Sequence, residues 1–208
     1  YPGSHSAKNF KTTLVPINVT GGEIEQCFMT GYGKGTAVGN DIYFWCAGGK
    51  IHKFRGAYME KPETSGVNMT AKIDHAIITR FFGGGTSANA TITGNISVTI
   101  DNSRVDFYCG GPEFGDMSSG KTVTTKAKNT TFGEFYGAGF GGTSIFYTND
   151  EDKTLEFANV TTPDGVDYPD YFTQHYLGSN EGRLKKHLTN NVPDGIGTCY
   201  KFEFIVHS

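Results

Sequence analysis

Apolar residues recur along this chain at a fixed interval. Counting in steps of 27 gives Ile24, Ile51, Ile78, Val105 and Phe132, with no insertion or deletion across five copies. A second column, Val15, Ile42, Met69, Ile96 and Val123, is equally regular. Two positions further on stand Ile17, Phe44, Ala71, Val98 and Thr125, and two beyond those Val19, Cys46, Ile73, Ile100 and Ala127. Apolar residues at offsets 0, 2 and 4 describe a strand with one buried face, because successive side chains of a strand point to opposite sides. The residues between them, Pro16, Tyr43, Thr70, Ser97 and Thr124, are then expected to point outward.

After this strand the columns turn small and polar, as in Gly21 with Gly22, Gly48 with Gly49 and Asn102 with Ser103, so the chain bends once per repeat at a fixed phase. The next segment carries the Ile24 column and then Cys27, Phe54, Phe81, Tyr108 and Phe135, followed two residues later by Gly56, Gly83, Gly110 and Gly137, with Met29 in the first copy. An aromatic column before a small one indicates an interior ring beside a corner, where the backbone turns sharply or passes close to its neighbour. A unit this short cannot bury its own apolar face, so each copy must stack on the next, placing equivalent side chains about 4.8 Å apart. The expected fold is all-β: a single-stranded parallel β-helix, or β-solenoid, of about five 27-residue coils. Charges agree with that register, since Glu23 would stack on Lys50 and Glu25 on His52.

Composition points the same way. Only five leucines occur in 208 residues, whereas Thr, Val, Ile, Phe and Tyr are frequent and glycine reaches 29. A net charge of -3 offers no basic field for a phosphate backbone, so nucleic acid is not an expected partner. No apolar run approaches the roughly 20 residues needed to span a bilayer. The chain begins at Tyr1 without a signal-peptide pattern, which leads to the expectation that any export signal has been removed or left out.

The organisation expected is an N-terminal flank over residues 1–14, solenoid repeats over 15–144 and a C-terminal cap over 145–208. The phase breaks near Thr143, and Leu155, Phe157 and Val160 suit a shifted, degenerate sixth coil. A polar stretch from Pro163 to Pro193 contains a candidate short helix around Arg183 to Leu188. The final Tyr200, Phe202, Phe204 and Val206 alternate as a strand that would pair at the solenoid end and shield its edge.

Few residues carry recognisable chemistry. Gly115, Gly120, Lys121 and Thr122 match the phosphate-loop spacing, but that mechanism needs a helix after the loop, and the next residue, Val123, already belongs to a strand column. Asp74 and Asp101 share a column with His75 close by, making these three the candidate catalytic residues; Arg80, Arg104 and Asp106 would extend such a site. Neighbouring carboxylates can raise one pKa and form an acid/base pair or a calcium site, and the competing reading is solvated turn residues. The six histidines and four cysteines show no metal-ligand spacing, so neither metal nor cofactor is expected. Cys27 and Cys46 fall in apolar columns as buried thiols, while Cys109 and Cys199 leave disulfides open. With Ile42, Phe44 and Cys46 inside, Tyr43 and Trp45 must project outward beside Thr70 and Lys72; Tyr43, Trp45 and Lys72 are the candidate binding residues for a sugar ring or a protein partner. The competing reading has residues 1–14 or a loop covering them. Arg55, in a column otherwise held by Phe28, Phe82, Cys109 and Tyr136, has no evident role.

The core sequence Ile96-Ser-Val-Thr-Ile100, followed by Asn102-Ser103, Val105, Phe107-Tyr108 and Gly110-Gly111, resembles the glycine- and aromatic-rich repeats of secreted or surface β-helix proteins of gut Bacteroidetes, adhesin-like and mostly of unknown function. The resemblance covers residues 15–142. It implies a right-handed parallel β-helix outside the cytoplasm or on the cell surface, part of a larger protein, and supplies no catalytic motif. The expected function is a binding or structural module that contacts glycans or surface proteins through outward columns and loops. The alternative is a carbohydrate-active enzyme, a polysaccharide lyase or glycoside hydrolase, with acidic residues stacked on adjacent coils.

Overall fold

The computed structural model describes residues 17–29, 41–56, 68–86, 94–114, 121–137 and 139–140, together with the strand backbones at 91–92, 116–117, 145–148, 153–161, 183–186, 195–196 and 203–206. Its strands are β1 (Ile17–Val19), β2 (Glu23–Phe28), β3 (Ile42–Ala47), β4 (Lys50–Arg55), β5 (Met69–Asp74), β6 (Ile77–Phe82), β7 (Thr91–Ile92) and β8 (Ile96–Asp101). They continue with β9 (Arg104–Cys109), β10 (Asp116–Met117), β11 (Val123–Tyr136), β12 (Ile145–Thr148), β13 (Lys153–Thr161), β14 (Arg183–Lys186), β15 (Gly195–Ile196) and β16 (Glu203–Val206). Two parallel runs, β1-β3-β5-β8 and β2-β4-β6-β9, meet in the long strand β11. Its first half pairs with β8 and its second half with β9.

The chain is a parallel β-solenoid of about three turns, those opening at Ile42, Met69 and Ile96, each with a neighbour on both sides. The register is that of the sequence columns. Ile24 pairs with Ile51, Ile51 with Ile78, Ile78 with Val105 and Val105 with Phe132. Ile42, Met69, Ile96 and Val123 pair in the same way on the other run.

The core lies between the two runs. Phe54, Phe81, Tyr108 and Phe135 form a ladder of near-parallel rings with centroids 4.7, 5.1 and 4.9 Å apart, and Phe44 reaches Phe54 from the opposite run at 4.6 Å. Two columns contain a polar departure, and the two departures satisfy each other: the Tyr108 hydroxyl and Thr125 Oγ1 lie 2.6 Å apart in the buried interior. Burying either hydroxyl alone would cost about 1–3 kcal/mol.

Corners follow from backbone chemistry. Gly48, His75, Asn102 and Asn129, one per repeat, all adopt positive φ (117°, 50°, 47° and 49°), a region that favours glycine and tolerates Asn and His better than most other residues. Asn129 Nδ2 donates to Asn102 Oδ1 at 3.1 Å, and Asn102 Nδ2 to Asp74 Oδ1 at 3.0 Å, so the side chains stack as well. At the next column the Ser103 hydroxyl accepts from Ala76 N and donates to the Asp101 carbonyl. A second bend interrupts the other run. Pairing skips the column of Glu25, His52, Thr79, Asp106 and Gly133, leaving two outward residues between successive inward ones. The expected charge pairs form there, with Glu23 Oε1 at 3.1 Å from Lys50 Nζ and His52 Nε2 at 3.9 Å from Glu25, while His52 also lies 2.6 Å from Glu23.

Past Tyr136 the register changes. β13 pairs parallel with β11, Leu155 opposite Thr125 and Phe157 opposite Ala127, so the repeat here is three residues longer. β16 then pairs parallel with β13, Phe204 opposite Leu155 and Val206 opposite Phe157. The helix expected around Arg183 to Leu188 is not formed: Arg183–Lys186 is strand β14, paired parallel with β12. Cross-strand pairing there overrides the local helical preference of Leu and Lys. After the phosphate-loop match comes strand β11 and not a helix, so that spacing is fortuitous. The flank 1–14, the stretch 162–182 and Cys199 lie outside the described residues.

Cys27, Cys46 and Cys109 are buried and unbridged. Burial pushes the Cys27 thiol up to about 11 and raises those of Cys46 and Cys109 as well. All three are expected to resist iodoacetamide in the native protein at neutral pH and to label on denaturation, read by peptide mass spectrometry. Rapid native labelling of Cys109 would contradict its placement.

Candidate functional site

Alternation on β3, β5 and β8 turns one set of side chains away from the core, and parallel pairing aligns them in rows. Tyr43, Thr70, Ser97 and Thr124 form one row; Trp45, Lys72, Thr99 and Lys126 the next; Ala47, Asp74, Asp101 and Lys128 the third. Trp45 is 54% exposed and Tyr43 40%, unusual values for large aromatics in a folded domain.

Between the second and third rows lies an open depression of about 230 Å³ lined by Trp45, Lys72, Ile73, Asp74, Thr99 and Asp101. It spans three neighbouring strands, so its floor crosses the strands and follows the stacking direction. Four candidate residues from two separate sequence arguments meet here: Trp45 and Lys72 from the outward aromatics, Asp74 and Asp101 from the carboxylate column. Tyr43 stands one row away, beside Thr70, and does not line the depression. His75 sits at the corner, its Nδ1 2.8 Å from Asp74 Oδ1. Arg80, Arg104 and Asp106 do not extend this site. They belong to β6 and β9 of the other run, where Arg104 Nε lies 2.6 Å from Asp106.

Electrostatics separate the two carboxylates from a simple acid/base pair. The Asn102 side-chain amide, and after it His75, hold the Asp74 carboxyl below its usual range. Asp74 is therefore a fixed anion, which is the opposite of what a general acid needs. Thr99 and Asn102 are the contributors that sequence reasoning missed. Thr99 was legible as the next member of the Trp45, Lys72 column; Asn102 showed only as a turn residue.

Among the described residues no three His, Cys, Asp or Glu side chains converge as a metal site would require. Compared with protein-family models, curated proteins and solved structures, the chain matches none. The chemistry of the depression must be read from its own groups. An exposed indole face supplies a platform for the C–H face of a sugar ring, while an ammonium, a hydroxyl and two carboxylates supply donors and acceptors at its edge.

Proposed function

We propose that the chain is a β-helical binding module of a secreted or cell-surface protein, holding glycans on the outward face of β3, β5 and β8. The observation that carries this reading is the convergence of Trp45, Lys72, Asp74, Thr99 and Asp101 on one open depression. Sugars present alternating apolar faces and hydroxyl edges, and this mixture of groups answers both. A protein anchored on Trp45 is the other partner class for such a face.

The finer architecture belongs to the same proposal. The chain forms five 27-residue coils, supported by ladders that run in register from Ile24 to Phe132. The helix is right-handed, in line with the strong preference for right-handed crossovers between parallel strands. Residues 145–208 form a cap, supported by β13 on β11 and β16 on β13. The resemblance to adhesin-like β-helix proteins of gut Bacteroidetes favours an extracellular or surface location and a longer parent protein.

A glycan array on the intact chain tests the function. Binding to one or a few oligosaccharides is expected, weakened about tenfold or more in Trp45→Ala, the size of loss expected when an aromatic anchor is removed. Unchanged thermal stability in that variant is also expected, because the side chain is more than half exposed. Absence of binding, or equal binding by the variant, would overturn the reading. A lyase or hydrolase centred on Asp74 and Asp101 is the second reading, favoured by their adjacency in the ladder. It requires a polysaccharide-degradation assay to show turnover that Asp101→Asn abolishes.

The lowered Asp74 pKa makes a further prediction. Binding that uses the Asp74 anion should persist, as pH falls, to more acidic values than an ordinary aspartate permits. In Asn102→Ala the principal stabilising hydrogen bond is gone, so the acid limb of the binding profile should move to higher pH. Coincident profiles for the two proteins would exclude Asp74 from the contact.

A further inference from the structure

On the opposite run, most outward charges among the described residues meet an opposite charge or a hydrogen-bond donor. Glu23 takes Lys50 and His52, Arg104 takes Asp106, and Glu134 accepts from the Tyr136 hydroxyl. Lys53 and Arg80, by contrast, are direct cross-strand neighbours on β4 and β6. Like charges placed opposite each other destabilise a sheet by a few tenths of a kcal/mol or more, so a ladder whose ion pairs are otherwise attractive has retained an unfavourable register here. The flanking members of this column, Gln26 and Phe107, bring no negative charge to the pair. Phe107 instead positions one cation, the Arg80 guanidinium lying 5.9 Å from its ring centroid.

We propose that Lys53 and Arg80 form an anion-binding pair on this second face and that its occupant is an acidic polysaccharide, whose carboxylate or sulfate groups bridge the two cations. An oxyanion between them would turn the repulsion into two charge-assisted contacts, with the guanidinium fork supplying paired donors and the ammonium a point charge. Acidic protein surfaces fit less well. Among the described residues Ile77 is the only large apolar side chain exposed on this run's strands, and protein interfaces draw most of their energy from buried aromatic or apolar anchors. A nucleic acid is disfavoured by the chain's net charge of -3. This site is separate from the Trp45 depression and holds whether or not that depression binds sugar.

The test uses an oligouronate and a sulfated oligosaccharide of defined length, titrated into the whole chain at low and at physiological salt. Binding is expected for at least one probe, with Lys53→Gln and Arg80→Gln each about tenfold weaker and affinity falling as salt rises. Lys128→Gln removes the same charge from the other run and should leave affinity unchanged. Lys53→Glu should abolish binding while keeping or raising the melting temperature, since it converts the repulsive pair into an attractive one; a loss of binding through misfolding would instead lower it. The proposal is overturned if neither probe binds, if Lys128→Gln weakens binding as much as Lys53→Gln, or if polyglutamate competes as well as the glycans.

Discussion

Arg55→Ala is expected to destabilise the protein by about 3–5 kcal/mol, read as a lower midpoint in urea denaturation. The magnitude comes from where the charge sits. Arg55 occupies a column of Phe28, Phe82, Cys109 and Tyr136, with its guanidinium 5.4 Å from the Phe28 ring centroid and 5.5 Å from that of Phe82. Its Nη2 meets Glu113 Oε2 at 3.0 Å, and only 12% and 16% of the two side chains remain exposed. Removing the cation would leave the largely buried Glu113 carboxylate without the guanidinium it meets. The comparison that isolates this cause is the double variant Arg55→Met with Glu113→Met, which removes both charges and keeps most of the volume. It should lie within about 2 kcal/mol of the parent, because desolvation roughly offsets attraction in buried pairs. If Arg55→Ala alone leaves the midpoint unchanged, the pair is not desolvated and this account of it fails.

Gly83→Ala is the second large effect, about 3 kcal/mol or more, measured in the same way. Gly56, Gly83 and Gly110 stack on one another at successive corners. A methyl group on Gly83 would overlap the carbonyl oxygen of Gly110 and stand 2.9 Å from Ile96 Cγ2. Backbone cannot swing aside as a flexible side chain can. Two coils would have to separate, stretching the 2.9 Å hydrogen bond from Gly83 N to the Cys109 carbonyl. Gly21→Ala is the control, since nothing lies within 4 Å of where its methyl group would stand, and it should change stability by less than about 0.5 kcal/mol. Equal effects at the two glycines would show that close coil approach is not why the column is small.

These two sites also mark what was and was not legible in the sequence. The glycine column announced a tight corner, and the structure resolves its cause as close approach of backbones, whereas positive φ falls at the other bend, at Gly48, His75, Asn102 and Asn129 and also at Gly22 and Gly49. Arg55 stood out as an anomaly, but its partner lies 58 residues away in the connection that follows β9, where the columns give no guide. The same holds for Tyr108 and Thr125, two departures from different columns that only packing brings together. Ladders were readable because stacking demands that like sit on like. The change of phase before β13 was legible, and β13 pairs in parallel with β11 in the shifted register, whereas β14 was not foreseen as a strand, because pairing with β12 leaves no periodic trace in so short a segment. At the candidate site, Trp45, Lys72, Asp74 and Asp101 were each visible through alternation or column membership. Their meeting in one depression was not, since it depends on how two rows of side chains fill the space between them.

Removing one whole period tests the stacking most directly. Equivalent residues are 27 positions apart, as the hydrogen bonds from Asn68 to Asp41, Asn95 to Asn68 and Asn129 to Asn102 all record. Deleting residues 69–95 joins Asn68 to Ile96 and leaves every column in phase, so cooperative unfolding and the β-sheet circular dichroism spectrum should survive. Deleting residues 72–97 instead joins Ala71 to Val98 within one strand, one residue short of a full period, which turns Val98 and Ile100 to the outward face and should abolish both. Two deletions that fold equally well, or fail equally, would contradict a core built from side chains stacked one coil upon the next.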